Sequence, residues 1–149
     1  NYGPFQNEEK LIPLAISFCL KGKKLPIYGD GSNIRDWLYV KDHCEALSLI
    51  LESGKIGETY NIGGKNELTN LEVINKICNT LDNIYPKKEG RSYVEQISFV
   101  EDRPGHDYRY GLNISKIENN LGWLPKENFD SGLKKTIEWY LKRNDASKR

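Results

Sequence analysis

The chain has 149 residues, 38% of them apolar and 29% charged, a length and balance that can bury one globular core and exclude a disordered or fibrous protein. Twenty-two basic residues against 21 acidic ones leave a net charge of +1 with no long run of one sign, which excludes general nucleic-acid binding, since that needs a concentrated basic surface to displace counterions. The longest mainly apolar run, residues 11–20, contains Pro13 and is too short to cross a bilayer, so no membrane partner is expected. Residues 1–6, NYGPFQ, read as a turn around Gly3-Pro4. Asn7, Glu8 and Glu9 offer a cap and first-turn acids to a helix whose apolar face is Leu11, Leu14, Ala15, Phe18 and Cys19. Pro13 belongs in its first turn, Gly22 ends it, and Lys21, Lys23 and Lys24 suit its negative end.

Residues 25–28, Leu-Pro-Ile-Tyr, predict a short strand, and Gly29-Asp30-Gly31-Ser32 a tight turn. Residues 34–40 are β-prone with Arg35 inside them; its guanidinium either pairs with an acid such as Asp36 or Asp42 or faces a cleft that holds an anion. Asp42 to Glu45 resembles a capping box opening a helix through Leu51, with Ala46, Leu47, Ile50 and Leu51 apolar and Gly54 beyond. Residues 59–62 predict a strand running into Gly63-Gly64. Thr69-Asn70 caps a helix lined by Leu71, Ile74, Cys78 and Leu81, with Val73 and Ile77 widening the stripe. A basic loop at 86–91, a strand at 96–100, a polar cluster at 101–109, a helix at 114–121 ended by Gly122 and a Trp123-Leu124-Pro125 corner follow. The last helix is expected over 129–142, with a frayed tail at 145–149.

About five helices alternating with few short strands predict an α/β fold whose strands cannot complete a doubly wound sheet. The chain contains no methionine, and with so few strands it reads as the C-terminal part of a longer protein. Cys19, Cys44 and Cys78 are odd in number and far apart in apolar helical patterns, which predicts buried thiols of a cytosolic protein without disulfide or zinc spacing.

The second chemical cluster is Asp102-Arg103-Pro104-Gly105-His106-Asp107. It follows a predicted strand, at the edge where α/β proteins place ligands. Arg35 and Arg103 suit a diphosphate, whose oxygens accept paired guanidinium bonds, although Asp102, Arg103 and Asp107 could equally neutralise one another on a loop. His106 and His43 have no second ligand at metal spacing. No G-x-G-x-x-G or P-loop is present.

NYGPFQ…EKLIP, LPIYGDGSNIRDWLYVKDH, GETYNIGG…N and FVEDRPGHDYRY together resemble the dTDP-glucose 4,6-dehydratase family of extended short-chain dehydrogenases/reductases. The resemblance runs from Asn1 to about Tyr140. R-D-W-x-Y-V-x-D-H and D-R-P-G-H-D are specific to that branch, while NYGP and YNIGG are widespread in the superfamily. It implies an NAD cofactor bound mainly by an N-terminal Rossmann domain outside this sequence, with the catalytic Tyr-x-x-x-Lys pair there too. It also implies a dTDP-sugar substrate, a cytoplasmic location, a homodimer when full length, and a chain inactive alone. The implied reaction is internal redox: hydride leaves sugar C4, water is lost across C5 and C6, and the hydride returns to C6.

Carried over by position, Asn1 would meet the sugar or its phosphate, and Glu9, Lys10 and Leu11 the nucleotide. Pro26, Ile27 and Tyr28 would border the base, Arg35 and Arg103 would hold the diphosphate, and Asn70 would add a polar contact. Asp102, Pro104, Gly105 and His106 would close the pocket with Arg103. Tyr108 departs from the family pattern, which places an arginine there. The alternatives are a UDP-sugar epimerase, decarboxylase or dehydratase of the same superfamily, or a non-catalytic nucleotide-sugar-binding module.

Overall fold

In the computed structural model, which describes residues 1–88 and 90–146, helix α1 (Leu11–Leu20) leads into strands β1 (Leu25–Tyr28) and β2 (Ile34–Asp36), helix α2 (Val40–Ser53) and strand β3 (Glu67–Thr69). Helix α3 (Asn70–Ile84), a 3-10 turn at Tyr93–Gln96, strands β4 (Ile97–Val100) and β5 (Arg109–Tyr110), and helices α4 (Ser115–Leu121) and α5 (Phe129–Ala146) follow. The α/β class is as expected. β1 and β4 pair in parallel, Leu25 opposite Ile97 and Tyr28 opposite Val100. β2 lies between β3, antiparallel to it, and β5, parallel to it.

Helical periodicity builds the main core, where α1, α3 and α5 meet. α3 buries Val73, Ile74, Ile77, Cys78 and Leu81, the expected stripe. α1 is rotated from expectation: Ile12, Ala15, Ile16 and Cys19 are buried, with Leu11 and Phe18 at the margin. α5 contributes Phe129, Leu133, Ile137 and Tyr140, and runs past residue 142 through Ala146; residues 147–149 of the expected tail lie outside the described residues. Tyr2 is buried as well, its hydroxyl donating to Phe129 O at 3.3 Å.

Several boundaries differ from expectation, each because a tertiary partner overrides local composition. Asn7, Glu8 and Glu9 precede α1 as a turn, Lys10 N donating to Asn7 O at 3.1 Å, and α1 has no side-chain cap. β2 stops at Asp36, and α2 starts at Val40 with Tyr39 as its uncapped first boundary. Asp42 is therefore inside the helix: its buried carboxylate accepts from the Lys126 and Glu127 backbone N–H groups at 3.2 and 2.9 Å, joining α2 to the corner after α4. Residues 59–62 form no strand: Tyr60 and Ile62 pack against the cluster around Ile114 and Trp123, and Asn61 gives its side-chain N–H to Asn113 O at 3.2 Å.

A second, smaller core joins Leu38, Ala46, Ile114, Ile117 and Trp123. Leu47 is exposed on the other side of α2, and Leu51 is 88% exposed. Cys44 is exposed too, contrary to the expectation of three buried thiols, because it shares that outer face; Cys19 and Cys78 are buried and adjacent in the main core. In the basic loop, Lys87 lies 4.7 Å above the Tyr93 ring, and Glu89 falls outside the described residues. No helix among the described residues is long and apolar enough to cross a membrane.

The Thr69 cap is a full capping box: Thr69 Oγ1 accepts from Glu72 N at 3.1 Å while Glu72 Oε2 accepts from Thr69 N at 2.7 Å. Thr69→Ala is expected to cost about 1 kcal/mol, the usual worth of such a cap, read as a lower denaturant midpoint with an unchanged slope. An unchanged midpoint would show that tertiary packing alone holds this end of α3.

Candidate functional site

Parallel pairing brings the C-terminal ends of β1 and β4 side by side, so Tyr28 and Val100 open onto residues 29–33 and 101–108. The turn after β1 places Gly29 and Gly31 at φ of 57° and 75°, angles that favour glycine. A Cβ on Gly29 would stand 3.2 Å from the Asp102 carboxylate, so the bare backbone lets Asp102 lie against the turn.

Four of the sequence-derived site residues meet here. The Arg103 guanidinium lies 5.0 Å above the Tyr28 ring, a cation–π separation, and its Nη2 is 2.9 Å from His106 Nε2. His106 Nδ1 is 2.7 Å from Asp102 Oδ1, and the Arg103 backbone N–H donates to the same oxygen at 2.8 Å. Pro104 and Gly105 form the turn that allows this: His106 N donates to Arg103 O at 3.1 Å, and Gly105 has φ of 68°. The His106 ring N–H, helped by the Arg103 backbone, holds the exposed Asp102 carboxyl below the usual carboxylate range.

Arg35 sits on β2 and bonds to the same loop. Its guanidinium donates to Asp107 O at 2.9 Å and Ile34 O at 2.6 Å, and stacks 4.7 Å from the Tyr110 ring. Among the described residues Arg35 forms no ion pair with Asp36 or Asp42, the two acids named for it. Asp36 instead accepts from the Gly64 and Asn66 backbone N–H groups, both at 2.8 Å, and Asp42 is held at the α4–α5 corner. The two arginines thus grip neighbouring residues, His106 and Asp107, of one loop.

Other expected residues are placed differently. Ile27 is 2% exposed, its side chain in the main core and unavailable to a ligand, while Pro26 is half-buried and Tyr28 43% exposed. The alternation of a strand explains this: residues on either side of Tyr28 point the opposite way. Asn70 opens α3, and its backbone N–H donates to Asn33 O at 3.0 Å, close to the cluster. Lys10 pairs with Glu9 at 3.2 Å at the exposed start of α1, where Leu11 turns toward the core. Asn1 Oδ1 is 2.8 Å from His43 Nδ1. Among the described residues no hydrogen bond joins Asn1, Glu9, Lys10 or Leu11 to residues 102–106.

The sequence reading missed the residues that fix the loop. Asn33, buried, donates to Asp107 O at 3.3 Å. The Tyr110 hydroxyl donates to the Asp107 carboxylate, which pushes the phenol upward. Arg109 forms a two-bonded pair with Glu67 at 2.7 and 2.5 Å, tying β5 to β3 across β2. An asparagine directly after a glycine turn was the one local signal for Asn33; the others depend on strand register. No group of three His, Cys, Asp or Glu side chains among the described residues is placed to hold a metal.

The site is a pair of arginine–tyrosine stacks on one loop at a parallel strand edge, within the fold of the extended short-chain dehydrogenases/reductases. Residues 1–136 match the family described as GDP-mannose 4,6 dehydratase, and the chain belongs to that family. It is 58% identical over 141 residues to the dTDP-glucose 4,6-dehydratase of Shigella flexneri, a match covering 95% of this chain and 38% of that protein. The dTDP-glucose 4,6-dehydratase of Streptomyces venezuelae, solved with NAD bound, is 42% identical with a TM-score of 0.87, over 98% of this chain and 42% of that one. The UDP-glucose 4-epimerase of Thermotoga maritima, solved with UDP-glucose, is 28% identical with a TM-score of 0.83, over 96% of this chain and 44% of that one. The chain therefore spans about two fifths of the length of the relatives it matches.

Proposed function

We propose that the chain is the nucleotide-sugar-binding C-terminal portion of an NAD-dependent dTDP-glucose 4,6-dehydratase. The observation that carries this reading is the placement of Arg35 and Arg103, each face-on to a tyrosine ring and each bonded to the same loop. Two guanidinium groups bonded to adjacent residues of one loop at a strand edge suit a diphosphate, whose oxygens accept several charge-assisted bonds. Tyr28, with more than a third of its surface free beside Arg103, offers a face to the base. The stronger likeness to dTDP-glucose 4,6-dehydratases, 58% against 28% for the epimerase, supports dTDP over UDP.

NAD belongs to the remainder of the enzyme on this reading. Gly29-Asp30-Gly31 is followed by Ile34 where a dinucleotide fingerprint has its third glycine. Gly63-Gly64 is pressed against β2, a Cβ on Gly63 falling 2.6 Å from Asp36 Oδ2, so it leaves no space for a pyrophosphate. Neither glycine turn forms a dinucleotide site, NAD is held mainly by the rest of the enzyme, and the chain alone is inactive. Its part is to orient: binding energy from the nucleotide end places the sugar against groups supplied from elsewhere. The full-length enzyme is a cytoplasmic homodimer in this proposal.

The test is titration of the full-length protein with dTDP-glucose and UDP-glucose, and turnover of each with NAD. At least tenfold preference for dTDP-glucose, about 1.4 kcal/mol, is expected. Equal affinity would favour a broader sugar-nucleotide enzyme, and tight binding without turnover would favour a binding module.

A further inference from the structure

Arg103 is gripped by a group from its own loop, His106. Guanidinium nitrogens only donate, so the 2.9 Å contact from Arg103 Nη2 requires a lone pair on His106 Nε2. A neutral imidazole has one proton, which then sits on Nδ1 and is donated to Asp102 Oδ1 at 2.7 Å. The His106 side chain is only 5% exposed, whereas Asp102 keeps 44%, so the ring is buried between a carboxylate and a guanidinium. The Tyr28 ring lies 5.0 Å from the same guanidinium, and Arg103 stays exposed.

We propose that Asp102, His106 and Arg103 form a positioning relay, an inference that rests on the diphosphate reading above. Asp102 fixes the tautomer, the free ring nitrogen orients the guanidinium on Tyr28, and Arg103 meets the diphosphate with few rotamers left to lose. An unrestrained arginine surrenders much side-chain freedom when it captures an anion, and a pre-oriented one surrenders less, which raises affinity without a new contact. The arrangement also gives His106 a purpose that needs no bond to substrate. Its burial is what makes the tautomer dependable, since water cannot offer the ring a competing acceptor.

The relay can be read directly. The chain holds two histidines, His43 and His106, so NMR of isotope-labelled imidazole nitrogens on the whole chain, with His43→Gln for assignment, reports each ring. His106 is expected to show a protonated Nδ1 and an unprotonated Nε2; the reverse tautomer, or an even mixture, overturns the relay. Asp102→Ala should release the ring into a mixture of tautomers, and an unmoved spectrum would also overturn it. In the full-length protein titrated with dTDP, His106→Ala is expected to weaken binding about tenfold. His106→Gln should recover most of that loss, because its side-chain oxygen accepts from the guanidinium. Equal losses in both variants would overturn the relay. Failure of the diphosphate reading looks different: Arg103→Ala would leave dTDP affinity unchanged, while the tautomer, measured without nucleotide, still decides the relay.

Discussion

Gly64→Ala is expected to lower stability by about 3 kcal/mol or more, the worth of two hydrogen bonds to a charged group. A methyl group at position 64 would collide with the Trp37 carbonyl oxygen and the start of Leu38. Backbone cannot step aside as a flexible side-chain end can, so the segment after residue 62 must lift from β2. Lifting it breaks the bonds from Gly64 N and Asn66 N to the Asp36 carboxylate, both 2.8 Å. Hydrogen bonds to a charged group are worth roughly 1.5–3 kcal/mol each, against a total stability of about 5–15 kcal/mol for a domain. Chemical denaturation of the two proteins would show the loss as a lower midpoint at equal slope. A shift below about 1 kcal/mol would mean the glycine pair is not clamped against β2 as described.

The second large effect concerns ligand. Arg35→Ala and Arg103→Ala, each made in the full-length protein, are expected to weaken dTDP-sugar binding roughly tenfold or more, about 1.4 kcal/mol apiece. Arg35 should be the more damaging to fold, because its guanidinium also satisfies the Asp107 and Ile34 carbonyls; a modest stability loss is therefore expected with it and not with Arg103→Ala. Because both arginines hold one loop, the double variant should depart from additivity, as coupled neighbours do. Calorimetric titration measures all three. Unchanged affinity in both single variants would reject the diphosphate role and leave the arginines as loop fasteners.

Much of the helical framework could be read in advance, because its signals are local. The α3 stripe, the Thr69 cap and the left-handed glycines ending α1 and α4, Gly22 and Gly122, need only three- and four-residue spacing and a preferred backbone angle. What could not be read depends on distant partners. β3 is three residues long and exists because Leu68 lies opposite Arg35; nothing in Glu-Leu-Thr announces it. Asp42 looks like a cap by composition, yet its carboxylate finds amides more than eighty residues away, 84 and 85 positions on. The candidate site divides the same way. Its charged members stood out as unusual residues beside a turn and Asn33 carried one local signal, while Tyr110 and the Arg109–Glu67 pair, which fix the loop and its strand, became visible only with the strands in register.

Tyr2 and Gln6 find their partners at the far end of the chain, Tyr2 donating to Phe129 O and Gln6 O accepting from the Tyr140 hydroxyl at 3.0 Å, across separations of 127 and 134 residues. Tyr2 can pair with the Leu38 and Val40 backbone early in synthesis, but these two bonds must wait until α5 has left the ribosome. Such late closure predicts slow, sequence-distant docking as the final event of folding, with the greasy parts of Tyr2, α1 and α3 that face α5 uncovered until that helix arrives. Chaperone capture during synthesis should concentrate on that interval.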